Sequence, residues 1–214
     1  MITTQLCPLP NCDNCAPQTV QPGAMAPGCR VCNSIPARLC KRCHSIRYCS
    51  PRCQKIDWPS HKLLCPQCDH DDVRPSPLHR RAILFRDSEK EPEFIWIECK
   101  EREQLGQKWE APQKVRDYLG PNLTWMERTS CHHDKIHDRP LENSLEIFNR
   151  DTGSIDGSSP NQSIIAATQG DLTHDWRGPV VVLRKNGHCN TYEGSFGDMS
   201  MADYVHIVDH FKTY

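Results

Sequence analysis

Eight metal-type side chains in four regularly spaced pairs dominate this chain: Cys29-x2-Cys32, Cys40-x2-Cys43, Cys49-x3-Cys53 and His61-x3-Cys65. Structural zinc takes four soft or borderline donors in a closed tetrahedron, and x2 to x4 spacings let a single turn present two donors to one ion. The C-x2-C pairs suit knuckles whose turn amides point back at the thiolates. The x3 pairs are i,i+4 and put both donors on one helix face. Ser50-Pro51 and Asp57 before Trp58-Pro59 supply cap and first-turn residues for two short helices. Eight donors therefore predict two sites. The pairs could serve the two ions in sequence, as two beads, or crosswise. Only Val31, Ile35, Leu39, Ile46, Tyr48, Ile56, Leu63 and Leu64 are available for an apolar core here, so metal must supply most of the stability. The crosswise arrangement better explains how so little apolar surface holds one shape.

The surroundings of this array favour metal over disulfides. The start of the chain lacks the basic and apolar regions of a signal peptide, and no run approaches the roughly 20 apolar residues of a membrane helix. The expected setting is intracellular and reducing, nucleus or cytoplasm, where dense cysteine signals metal. A net charge of -1 hides an asymmetry. Residues 28–66 carry eight Lys/Arg against Asp57 alone, whereas residues 67–214 are acidic by seven charges.

Four regions follow from texture. Residues 1–27, rich in Pro, Gln and Thr, read as an irregular leader; residues 28–66 are the zinc module; residues 67–77 are an acidic, proline-containing linker. Residues 78–214 read as an α+β domain with a small mixed or antiparallel sheet and a C-terminal helix. Strands are expected at Arg81–Arg86, Glu93–Lys100 and Pro179–Arg184, and a short helix at Ala111–Leu119. Residues 128–163 read mostly as loop. Met201, Tyr204, Val205, Val208 and Phe211 fall on one face of a terminal amphipathic helix. Trp96, Trp176 and Phe211 are the expected core aromatics.

The run Tyr48-Cys49-Ser50-x2-Cys53-Gln54-x2-Asp57-Trp58-x2-His61-Lys62-x2-Cys65, after two C-x2-C pairs, resembles the MYND finger nearly residue for residue. The resemblance implies cross-bracing, with Cys29, Cys32, Cys49 and Cys53 on one zinc and Cys40, Cys43, His61 and Cys65 on the other. It also implies a protein-interaction module that takes short proline-containing peptides as an added strand, with Gln54 and Trp58 lining the groove. Lys41 departs from the small hydroxyl residue of one peptide-binding member, which changes the expected peptide preference. On its own chemistry, Trp58 reads equally as a platform for proline rings or as a core tryptophan. Residues 81–100 and 175–211 resemble, more loosely, the C-terminal region of small fungal MYND-finger proteins, a region without assigned chemistry.

The reading is a non-enzymatic, zinc-binding adaptor, with a place in transcriptional regulation. Two rival readings stand beside it. The first is direct DNA contact through the basic finger face, but two thiolate-bound zincs reduce that charge to about +4 and the aromatic and motif criteria of a nucleic-acid reader are mostly unmet. The second is a non-haem iron oxygenase using His132 and Asp134 with a later histidine (His174, His188, His206 or His210). Of the remaining cysteines, Cys7, Cys12, Cys15 and Cys68 could be written as a third metal site but read more simply as leader and linker thiols. Cys99 reads as a small buried hydrophobe. Cys131 beside His132 and His133 could suggest a nucleophile, yet sequence neighbours seldom reach triad geometry.

Overall fold

The computed structural model describes residues 28–69, 73–121, 123–187 and 194–214. The zinc-finger region opens with a hairpin of two minimal strands, β1 (Arg38–Leu39) and β2 (Arg47–Tyr48), and continues into α1 (Pro51–His61). Ser50 caps α1 by accepting a hydrogen bond from the Cys53 amide, and Pro51 occupies the first turn, where its missing N–H costs nothing. The two short helices expected here are one. The chain stays helical through Pro59, whose ring removes a single backbone donor only two residues before the helix ends. A 3-10 turn, Cys65–Asp69, leads out.

The remainder is an antiparallel sheet of seven strands: β3 (His79–Phe85), β4 (Glu93–Gln104), β5 (Gln107–Pro112), β6 (Met126–Asp134), β7 (Arg139–Arg150), β8 (Val180–Lys185) and β9 (Phe196–Gly197). Their order is β5-β4-β3-β8-β7-β6, with β9 beside β8. Three helices accompany them: α2 (Val115–Tyr118), α3 (Gln162–Thr168) and α4 (Met201–Thr213).

Period-2 alternation divides the core between the sheet's two faces. Ala82 and Leu84 of β3 with Val181 and Leu183 of β8 join Ile97, Cys99, Val115, Leu119 and Phe196 on one side. Ile83, Phe85, Val180 and Val182 join Ile164, Tyr204, Val208 and Phe211 on the other. Both faces are covered, which is why β8 reads as an unbroken apolar run. The predicted apolar face of α4 is buried throughout, and a Ser200–Asp203 capping box starts that helix.

Three local expectations are corrected. The segment expected as loop contains β6 and β7, the hairpin that closes one side of the sheet. The helix expected from Ala111 shrinks to Val115–Tyr118, because Ala111 and Pro112 pair with Lys100 and Cys99 in β5. Trp176 and Phe211 are core residues, but Trp96 is only half-buried, with the Arg74 guanidinium 5.4 Å over its ring.

The finger rests directly on the helix-bearing face of this sheet. Ile46, Tyr48, Leu64 and Cys65 belong to the same apolar cluster as Phe85 and Tyr204. Polar contacts fix the seam. Tyr204 donates its hydroxyl to the Ser60 carbonyl (3.2 Å), and Arg30 donates to Asp209 (2.5 Å). The Gln67 amide also spans it, donating to the Pro92 carbonyl and accepting from the Phe94 N–H. The finger's excess positive charge thus meets part of the acidic half within the same chain.

Candidate metal centres and partner groove

Two knuckle turns and both ends of α1 bring the eight donors together crosswise. Cys29, Cys32, Cys49 and Cys53 form one cluster; Cys40, Cys43, His61 and Cys65 form the other. Sulfur–sulfur separations of 3.5 Å (Cys32–Cys49), 3.8 Å (Cys32–Cys53), 3.6 Å (Cys49–Cys53) and 4.0 Å (Cys40–Cys65) bracket the roughly 3.8 Å edge of a tetrahedron with zinc–sulfur bonds of about 2.3 Å. The donors therefore fit a closed tetrahedral ion without rearrangement, and the bead-by-bead alternative is excluded by the pairing.

The proton chemistry agrees. Hydrogen bonds from Ser34 hold the Cys32 thiol down to about 6, while sharing protons with Cys32 and Cys53 pushes Cys49 up to about 12. One quartet cannot hold four like charges unaided, so a dication is the natural counter-charge. Burial keeps His61 neutral, the form that ligates, despite the nearby Asp57 carboxylate. Its Nε2 faces Cys43 at 3.8 Å. Its Nδ1 lies 3.1 Å from the Tyr48 hydroxyl, which donates in turn to Asp57. Nδ1–H, Tyr48 and Asp57 thus form a relay that fixes the ring's tautomer and orientation. Tyr48→Phe breaks it, and zinc at the second site is expected to bind about tenfold more weakly, as read by chelator competition. An unchanged affinity would refute the relay.

A concavity of about 570 Å³ lies beside Gln54 and Trp58; its lining also includes Pro36, Leu39, Lys41 and Tyr48 and reaches the ligands Cys40, Cys49 and Cys65. Trp58 is 42% exposed and leans on the His61 ring at 5.9 Å, so it serves as a groove wall braced by the metal site. Leu39 is likewise exposed, and among the described residues β1 pairs on one side only, with β2. Lys41 and Arg38 make this groove basic.

The other sequence candidates scatter. A bulge between Cys131 and His133 breaks the alternation of β6. Asp134 gathers His137 and Asp209, and His132 stands outside that group. Burial pushes the Cys131 thiol up to about 11 and that of Cys99 up to about 12, the opposite of an activated nucleophile. Cys7, Cys12, Cys15, Cys189 and His188 lie outside the described residues. Sequence reasoning places Asp57 in the motif and as a cap of a second helix; instead it lies within α1, and its partnership with Tyr48 was missed. It also missed Asp209, which in the sequence is only a polar position in an amphipathic helix.

Comparison with known proteins agrees with this geometry. Residues 29–65 match the MYND finger family model. Ubiquitin carboxyl-terminal hydrolase 19 of Arabidopsis thaliana is 44% identical over 61 residues, 27% of this chain and 9% of its own length. SET domain and MYND-type zinc finger protein 6 of Schizosaccharomyces pombe is 46% identical over 72 residues, 31% of this chain and 15% of its own. Zinc finger MYND domain-containing protein 10 homolog of Drosophila melanogaster is 43% identical over 37 residues, 17% of this chain and 8% of its own. The chain spans less than a sixth of the length of each of these three relatives. No solved structure matches it. No helix among the described residues is long and apolar enough to cross a membrane. With the eight donors crossed as two tetrahedra and the family's own pattern running from the first ligand to the last, residues 29–65 are a MYND finger, a zinc-binding protein-interaction module.

Proposed function

We propose that the chain is a non-catalytic docking adaptor that carries two structural zinc ions and takes an extended, proline-containing segment of a partner protein along β1, against Gln54 and Trp58. The observation that carries this reading is the half-exposed Trp58 beside the open side of β1, both held on a metal-fixed frame. An extended chain gains main-chain hydrogen bonds from such an edge, and an indole face suits proline rings. Both metal clusters are closed tetrahedra of protein donors, the arrangement of a structural site with no open position for substrate. Direct DNA reading is the weaker alternative, because Arg30 and Arg47 are engaged within the protein. Thiolate sites of this kind suit an intracellular, reducing setting, nucleus or cytoplasm.

The test is binding of an array of proline-containing peptides to the zinc-loaded full chain and to Trp58→Ala. Loss of a central aromatic anchor is expected to cost about 2 kcal/mol, a weakening of some thirtyfold, with both zincs retained. Equal binding by the variant would remove Trp58 from the site, and no binding by any peptide would remove the docking mode.

A further inference from the structure

A second concentration of chemistry lies away from the finger's zinc clusters, in the seam beneath it. The turn between β6 and β7 brings His137 back onto Asp134, with Nδ1 2.9 Å from Oδ2. From α4, His206 sends Nδ1 to 3.4 Å from the same Asp134 oxygen, and Asp209, one turn further along, completes the group. Asp134, His137 and Asp209 each offer a ligand atom within 4.8 Å of the others.

Asp209 is what makes this more than an ion-pair network. The residue is only 2% exposed, and Arg30 engages only its Oδ1. Its Oδ2 is sealed from solvent without a hydrogen-bond partner; His206 Nδ1 is also sealed and makes no hydrogen bond, lying only within ion-pair range of Asp134. An unpaired buried carboxylate oxygen is costly, so sites of this kind ordinarily hold a donor or a cation. Burial pushes His206 down to about 4, leaving its imidazole neutral with a lone pair to give. Two arginines oppose a cation here. Arg139, half exposed, donates to Asp134 Oδ2 at 3.3 Å and competes with an ion there, whereas Arg30 leaves Asp209 Oδ2 open.

We propose that Asp134, His137 and Asp209, with His206 beside them, form a third metal site, for a divalent first-row cation held by nitrogen and oxygen, at the seam between the finger and the α+β domain. The donor set has no sulfur, so it differs in kind from both finger sites and accepts manganese or zinc, whereas the thiolate clusters select zinc. An ion there would tie the β6–β7 hairpin to α4 directly under Arg30.

The experiment uses the full chain with its finger zinc-loaded. Manganese(II) binding is followed by paramagnetic resonance, and total zinc is measured after equilibration with excess zinc and desalting. The expected result is one bound manganese per chain, and three zincs where the finger accounts for two. Asp209→Asn and His137→Ala should each weaken manganese binding about tenfold or more while keeping two zincs and the native far-ultraviolet dichroism. His137 is partly exposed in a turn and makes no contact with Arg30, so its replacement separates loss of the ion from loss of the finger–domain ion pair. Arg139→Gln, which removes an opposing charge, should tighten binding. A chain that stops at two zincs and takes up no manganese would overturn the proposal, as would variants that bind manganese as tightly as the wild type. None of these outcomes depends on whether peptides bind at Trp58.

Discussion

Stripping the zinc is expected to unfold residues 29–65 and to lower the stability of the α+β domain at the same time. Structural zinc contributes about 10–16 kcal/mol of apparent folding free energy in finger peptides, more than the ~5–15 kcal/mol net stability of an ordinary domain. The finger has little else: Ile46, Tyr48 and Leu64 are its main buried apolar side chains besides the ligands. The second part of the effect comes from the seam. Without the finger, Tyr204 loses its carbonyl partner at Ser60 and Asp209 loses Arg30, while the apolar cluster they flank becomes wet. Together these losses amount to about 3 kcal/mol, or roughly 10 °C in the melting temperature of a domain this size. Thermal unfolding with and without a strong chelator, followed in the aromatic dichroism of Trp176 and its neighbours, is the measurement. An α+β transition that stays in place after chelation would show that the two parts do not share a core.

Phe85→Ala is expected to be the most damaging single substitution in the sheet, at about 3–5 kcal/mol. Phe85 is fully buried, stacked on Tyr204 at 6.2 Å and set edge-on to Phe211 at 5.2 Å. Truncation would open a cavity between β3 and α4, and the ring pairs contribute beyond their area. Urea unfolding at constant zinc reads the loss, and Phe85→Leu should recover about half of it by refilling the cavity. Because the finger's ligands are untouched, zinc content should remain at the wild-type value. A variant that loses zinc along with stability would mean that the finger depends on the sheet more than the sheet depends on the finger.

The parts of this fold that are legible in the sequence are those whose chemistry is local. Ligand spacing is set within one turn, so the residue order alone locates the finger from Cys29 to Cys65. The pattern on α4 is readable too, because one face of a thirteen-residue helix leaves five apolar residues at regular intervals. The β6–β7 hairpin is not legible, since β6 is an edge strand with polar side chains along much of its length. Its pairing is imposed by β7, which is buried from Ser144 to Asn149. The helix α3 escapes notice for its shortness, although Asn161 before Ser163-Ile164-Ile165 is a usable cap signal, and its side chain does accept the Ile164 amide. The Asp134–His137–Asp209 group lies furthest from reach. Its members are separated by up to 75 residues, and only the folded sheet brings them together.

The seam has a consequence for the order in which the molecule can be made. Ser60 and Tyr204 are 144 residues apart, and Arg30 and Asp209 are 179 apart. A ribosome adding about 5–20 residues per second needs roughly 7–30 seconds to travel from Ser60 to Tyr204. Until the end of that interval the nascent finger has no α4 to lean on, and its buried face is a sticky surface. Zinc capture allows it to hold its shape while it waits, so the ions act as a clamp in time as well as in space. A chain translated under zinc starvation would present α4 with no finished surface to close upon.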